Sequence, residues 1–175
     1  MKKIILTFLI LIILFITGSG GDSEVIIPKD AIRFRVIANS NSEIDQAEKK
    51  KIAKKLGSDI TSILKDSNSL EESRNILKSK VGYFKSVVED TMKEDHYDSS
   101  MDINYGYNQF PQKEYKGVIY EAGEYESLVV TLGEGSGENF WCVLFPPLCL
   151  LEAEEEDTNK VEYKSLIKEV IDKYF

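Results

Sequence analysis

Residues 32–42 read Ile32-Arg33-Phe34-Arg35-Val36-Ile37-Ala38-Asn39-Ser40-Asn41-Ser42. Ile32, Phe34 and Val36 alternate with Arg33 and Arg35, the period of two that marks a half-buried strand. The polar run that follows has turn and cap chemistry, and Ser40-x-x-Glu43 fits a capping box opening a helix. Downstream, Ile52, Leu56, Ile60, Ile63 and Leu64 recur at helical spacing to about Lys65, with charged residues on the other face. A strand running straight into an amphipathic helix sets the start of the domain.

The pattern continues as α+β. Ser69-x-x-Glu72 opens a second helix, with Leu70, Leu77, Val81, Phe84, Val88 and Met92 as its stripe, fading near Asp95 and His96. The short polar link Asp66-Ser67-Asn68 predicts an antiparallel helix pair. From Met101 the period becomes two: Met101, Ile103, Tyr105 and Tyr107 alternate with Asp102, Asn104 and Gly106. Val118 to Tyr120, Tyr125 to Leu132 and Phe140 to Phe145 read as further strands. The last is apolar throughout, which predicts a central strand buried on both faces, or else one face left open for binding. The order β-α-α-β-β-β-α points to an antiparallel sheet of about four to five strands, the helix pair on one face, and a C-terminal helix. The first strand must pair at long range.

The first 21 residues read as a separate object. Lys2 and Lys3 precede the run Ile4 to Ile16, apolar except for Thr7, and Thr17-Gly18-Ser19-Gly20-Gly21 supplies small residues. Thirteen residues is short for a spanning helix, so a signal peptide is expected, with an uncleaved N-terminal anchor as the alternative. Residues 22–30 read as a tether, 31–151 as the α+β domain, and 152–175 as an acidic linker and terminal helix carrying Val161, Leu166, Ile167, Val170 and Tyr174. The 175-residue chain has a net charge of −8, which argues against a nucleic-acid partner.

One histidine and two cysteines are too few for a His/Cys zinc site, so no metal is expected. Gly133-x-Gly135-x-Gly137 lacks the spacing and the following helix of a phosphate cradle, and reads as a flexible hairpin. Two prolines between Cys142 and Cys149 can reverse the chain and bring the thiols together after export; the other reading is two buried thiols. A Cys142–His96 dyad would need the cysteine free. Trp141, Phe145, Pro146 and Pro147 read as core or as a contact hot spot, and Asn39 and Ser40 as caps or as a contact turn.

Three blocks resemble a known family. They are Ile32 to Ser40 with Asp45-Gln46-Ala47; Phe110-Pro111-x-Lys113-x-Tyr115-x-Gly117 with Ala122 to Leu128; and Gly133-Glu134-Gly135-x-Gly137-x-Asn139-Phe140-Trp141-Cys142-Val143-Leu144-Phe145-Pro146-Pro147-Leu148-Cys149. Together they resemble the stage II sporulation protein R family over about residues 31–151. Phe140 stands where the family usually has a first Trp. The resemblance implies a signal rather than an enzyme, without cofactor or small-molecule substrate. Its members are exported from the forespore to the intermembrane space. There they activate a membrane-embedded aspartic protease of the mother-cell membrane, which then processes the sigma-E precursor. The expected contact residues are Asn39, Ser40, Trp141, Phe145, Pro146 and Pro147. A secreted Cys/His hydrolase and a passive envelope-binding module are the alternatives.

Overall fold

A computed structural model describes residues 25–115, 118–146, 148 and 168–173. The elements are β1 (Val25–Ile26), β2 (Ile32–Ile37), α1 (Glu43–Leu64), α2 (Leu70–Glu94), β3 (Met101–Phe110), β4 (Lys113–Tyr115), β5 (Val118–Tyr120), β6 (Gly123–Leu132) and β7 (Asn139–Phe145). A short helix, α3, covers residues 168–173. The leader, and Val161, Leu166, Ile167 and Tyr174 of the terminal stripe, lie outside the described residues.

The helices form where the apolar stripes place them. Ser69 caps α2, its hydroxyl accepting from the Glu72 amide at 3.2 Å, while the Glu72 carboxylate accepts from the Asn68 amide at 3.1 Å. The cap of α1 is Ser42 rather than Ser40, with Ser42 Oγ accepting from the Asp45 amide. Ser40 instead donates its hydroxyl to the Asp45 carboxylate at 2.5 Å and accepts from the Ser42 amide at 3.1 Å.

The main sheet has the strand order β3-β6-β2-β7, and the helix pair covers one face. Ile32, Phe34 and Val36 of β2, with Leu128, Val130 and Leu132 of β6, meet Leu56, Ile60, Leu77 and Phe84 of the helices. Each fully buried side chain of this size contributes about 1.5–3 kcal/mol. The fold class is α+β as expected, although one ladder of this sheet differs from the antiparallel expectation. β2 runs parallel to β6, with Phe34 opposite Leu128, and antiparallel to β7. β7 is therefore an edge strand, not a central one. It is nonetheless buried on both faces, with Cys142 and Leu144 toward the helices and Val143 toward a second cluster.

That second cluster belongs to a small sheet of order β1-β5-β4. The stretch expected to be a tether is part of the fold from residue 25: β1 pairs parallel with β5, and Ile27 is 1% exposed beside Ala31, Val118, Val143 and Leu148. Val170 and Ile171 of α3 pack on the same cluster. An apolar Ile27 beside Pro28 is a buried contact that composition alone conceals.

Because β2 lies between β6 and β7, the link 133–138 must pass over the end of β2. It does so as a tight clasp, where a flexible hairpin was expected. The amides of Ser136 and Gly137 donate to the carbonyls of Asn39 and Ala38, the Glu134 amide to Asn39 Oδ1, and the Glu138 amide to Asn41 Oδ1. The glycines are needed for this approach. A Cβ on Gly137 would stand 2.2 Å from the Ser40 carbonyl oxygen, and Gly133 combines a φ of +54° with a similar clash against Asn39. Gly137→Ala should lower stability by about 1–3 kcal/mol in urea unfolding, as befits a forced backbone shift. The same change at Gly57, where a Cβ meets nothing within 4 Å, should be neutral or mildly stabilising.

Candidate functional site

The helix-free face of the main sheet carries Arg33, Arg35 and Ile37 of β2, Trp141 and Val143 of β7, and the even-numbered residues of β3; a register shift beside Ile32 returns Phe145 to the helix side. The sheet curls toward this face strongly enough that Phe110, at the end of one edge strand, meets Trp141 on the other. Their ring centroids lie 5.0 Å apart in an edge-to-face arrangement. Tyr125 adds a third ring, 6.1 Å from Phe110.

Two arginines lie among these rings. Arg33, read from sequence as the solvent side of its strand, is 1% exposed. The small sheet covers it. Its guanidinium carbon stands 3.3 Å from the centroid of Tyr125, and Phe110 and Tyr120 flank it at 5.5 and 6.0 Å. Among the described residues its three nitrogens have no hydrogen-bond partner, so the ring faces carry its stabilisation. Burial pushes its pKa down from the ordinary arginine value, opposed by Tyr125.

Arg35 is half-buried and closer to solvent. It lies 4.9 Å from the Trp141 centroid and 5.7 Å from that of Phe110, and donates to the Gln109 carbonyl at 3.4 Å. Lys113 approaches the same indole, with Nζ 5.6 Å from its centroid. Arg35, Lys113 and Trp141 thus form a cationic, aromatic patch at the rim of the small sheet, on a chain of net charge −8. Chemically it suits a carboxylate-bearing or aromatic group on a partner protein. Period-two alternation already put both arginines on one face; Lys113 comes from a separate hairpin and had no local signal.

Of the expected contact residues, Trp141 alone lies in this patch. Phe145 and Pro146 are buried, which removes them from any contact surface, and Pro147 lies outside the described residues. The chain does reverse after Pro146, since the Leu148 amide donates to the Val143 carbonyl at 3.1 Å. Cys142 is 3% exposed in the helix-side core, and Cys149 lies outside the described residues. His96 is exposed just after α2, at a φ of +52°, and no hydrogen bond joins it to Cys142 among the described residues.

Asn39 and Ser40 serve the fold. Asp45, 7% exposed, accepts from Asn39 Nδ2 at 3.1 Å, Ser40 Oγ at 2.5 Å and Tyr97 Oη at 2.5 Å. The Ser40 and Tyr97 hydroxyls lead in holding its carboxyl down to about 2, and burial with the Asp45 charge pushes Tyr97 up to about 12. One turn along α1, Glu48 is buried near Asp95. Burial, with Asp95 beside it, pushes Glu48 up to about 7, while Lys51, 2.5 Å from Asp95, holds Asp95 below the usual carboxylate range.

Two expectations follow from this geometry. Arg33→Ala should cost about 3 kcal/mol in chemical unfolding, because it leaves a cavity among three rings, whereas Arg33→Met should stay within about 1 kcal/mol of wild type. A loss of equal size in both would show that the charge itself is essential. The second concerns pH. A carboxyl raised to about 7 binds its proton more tightly folded than unfolded, so it withdraws stability as pH rises from its ordinary 4.5 through 7. Glu48→Gln should therefore gain stability over wild type at pH 8 and little at pH 5. Asp45 has the opposite sign: its contribution is complete above its ordinary 3.8 and is lost as pH falls through 2, so Asp45→Asn should lose stability at pH 7.

Among the described residues, no helix is long and apolar enough to cross a membrane, and no group of three or more His, Cys, Asp or Glu could hold a metal ion. No solved structure matches this chain. The family model for stage II sporulation protein R matches residues 28–155. A protein of Bacillus subtilis (strain 168) described as stage II sporulation protein R is 37% identical over 158 residues, covering 85% of this chain and 70% of the relative. The matched span takes in the curled sheet, the helix pair and the clasp alike, and the chain belongs to the stage II sporulation protein R family.

Proposed function

We propose that this protein is an exported signal of endospore formation. It passes from the forespore into the space between the two membranes and activates a membrane-embedded aspartic protease of the mother-cell membrane. That protease then removes the pro-sequence of sigma-E. Membership of a sporulation family is the observation that carries this reading. The leader-like first 21 residues support export. A disulfide between Cys142 and Cys149 fits the same compartment.

The contact surface is the Arg35–Lys113–Trp141 patch. A signal activates its target only by binding the active state better than the resting one, and tenfold activation needs about 1.4 kcal/mol of differential affinity. One aromatic anchor with a flanking cation supplies free energy of that order, at about 2 kcal/mol or more. Asn39 would then affect signalling through the clasp rather than by touching the protease.

The test is co-expression of the protease and pro-sigma-E in a non-sporulating host, with this protein exported or retained, and processing followed by gel mobility. Processing should appear only with export. Lys113→Glu should reduce it about tenfold, by reversing a charge at the contact, while leaving the unfolding midpoint unchanged. Full processing by both Lys113→Glu and Trp141→Ala would remove the patch from the mechanism. Retention on peptidoglycan without any processing would favour a passive envelope-binding protein.

A further inference from the structure

The two edges of the main sheet are not equally protected. The β7 edge is engaged at both ends: Leu148 donates to the Val143 carbonyl, while Glu138 receives Lys49 Nζ on its carbonyl at 3.1 Å and gives its amide to Asn41. β3 is different. It is ten residues long, pairs with β6 in unbroken register from Met101↔Leu132 to Phe110↔Gly123, and among the described residues has no strand on its other side. It holds no Lys, Arg or Pro, and its single charge is Asp102. Natural edges usually carry such residues to prevent pairing with another chain. Tyr107, near its centre, is 68% exposed.

The middle of this edge reads the same in both directions: Asn104-Tyr105-Gly106-Tyr107-Asn108. In an antiparallel pair, directly opposite residues share a face of the sheet. A two-fold axis through Gly106 would place Tyr105 opposite the second copy's Tyr107, Asn104 opposite its Asn108, and glycine opposite glycine. Each sheet face is thereby continued, tyrosines on the helix side and asparagines on the other. Within one chain, Asn104 Nδ2 already reaches Asn108 Oδ1 at 3.0 Å, over the glycine that has no side chain to intervene. In a chain of net charge −8, this edge carries a single charge, so two copies meeting along it face little mutual repulsion there.

We infer that β3 is a self-pairing edge, on which a second copy of this chain docks antiparallel about Gly106 to form one eight-stranded sheet. The interface is isologous, so the pairing closes at two subunits. It is independent of the protease contact, which lies on the curled face around Trp141.

Single cysteines in the exported full-length chain test the register. Opposite Cα atoms of a ladder stand about 4.5–5.5 Å apart, inside the disulfide range. A side chain at Gly106 is accommodated, because a Cβ there comes no closer than 3.8 Å to Asn104 Oδ1. Gly106→Cys should give a covalent dimer at about twice the monomer's mass on a non-reducing gel, above the level formed by the unmodified chain. Asp102→Cys should not, because its own copy lies roughly 27 Å away in this register. Adding Tyr107→Lys to Gly106→Cys should lower the yield about tenfold through the loss of two symmetry-related tyrosine pairs. Equal cross-linking at 102 and 106, or none at 106 in a chain that resists proteolysis as the unmodified one does, would overturn the pairing.

Discussion

The structure depends on the insertion of β2 between β6 and β7. Two strands joined by a short loop would ordinarily pair with each other. Here they are held apart by a strand from the other end of the chain, so the loop must span two strand spacings, about 9.6 Å. It also passes directly over the point where β2 leaves the sheet. The run 38–41 and the loop 133–138 are thus forced into contact and satisfy one another's backbone groups. The polar network beneath them, with Asp45 at its centre, fixes the first turn of α1 against the same point. Sheet, clasp and helix start are therefore one cooperative unit.

The same insertion explains the electrostatics of the open face. β2 places Arg33 and Arg35 at the middle of a sheet that curls around them. Curvature brings Phe110 and Trp141, from opposite edges, to within ring contact. One arginine is sealed under the small sheet and stabilised by aromatic faces. The other stays near solvent, at the rim. A single alternating strand thereby yields one sealed guanidinium and one that stays half-buried at the rim. Position under the small sheet decides which is which.

Much of the local structure was legible in the sequence. Both helices, the cap at Ser69, the strands at 118–120 and 125–132 and the chain reversal after Pro146 follow from spacing, capping and turn chemistry, all of which act within a few residues. The family was legible too, because the aromatic and cysteine-bearing block is long and uninterrupted. The candidate site was only partly so. Trp141 could be named, but Phe145 and Pro146 beside it are equally apolar and lie in the core. Burial depends on what packs above a strand, and nothing within the strand reports it. Asn39 and Ser40 were read as cap or contact; their role in the clasp depends on a loop almost a hundred residues away.

The sequence by itself determined the α+β class, the extent and facing of the two helices, and the membership of a sporulation family, because periodicity and local hydrogen bonding specify these without reference to distant residues. Only the tertiary structure decided that β2 is central and β7 an edge, that β2 runs parallel to β6, and that the glycine loop is a clasp. It also decided that Arg33 is buried while Arg35 is not. Each of these turns on which strands lie side by side, and strand pairing over a hundred residues is chosen by the packing of the whole core rather than by the composition of any one segment.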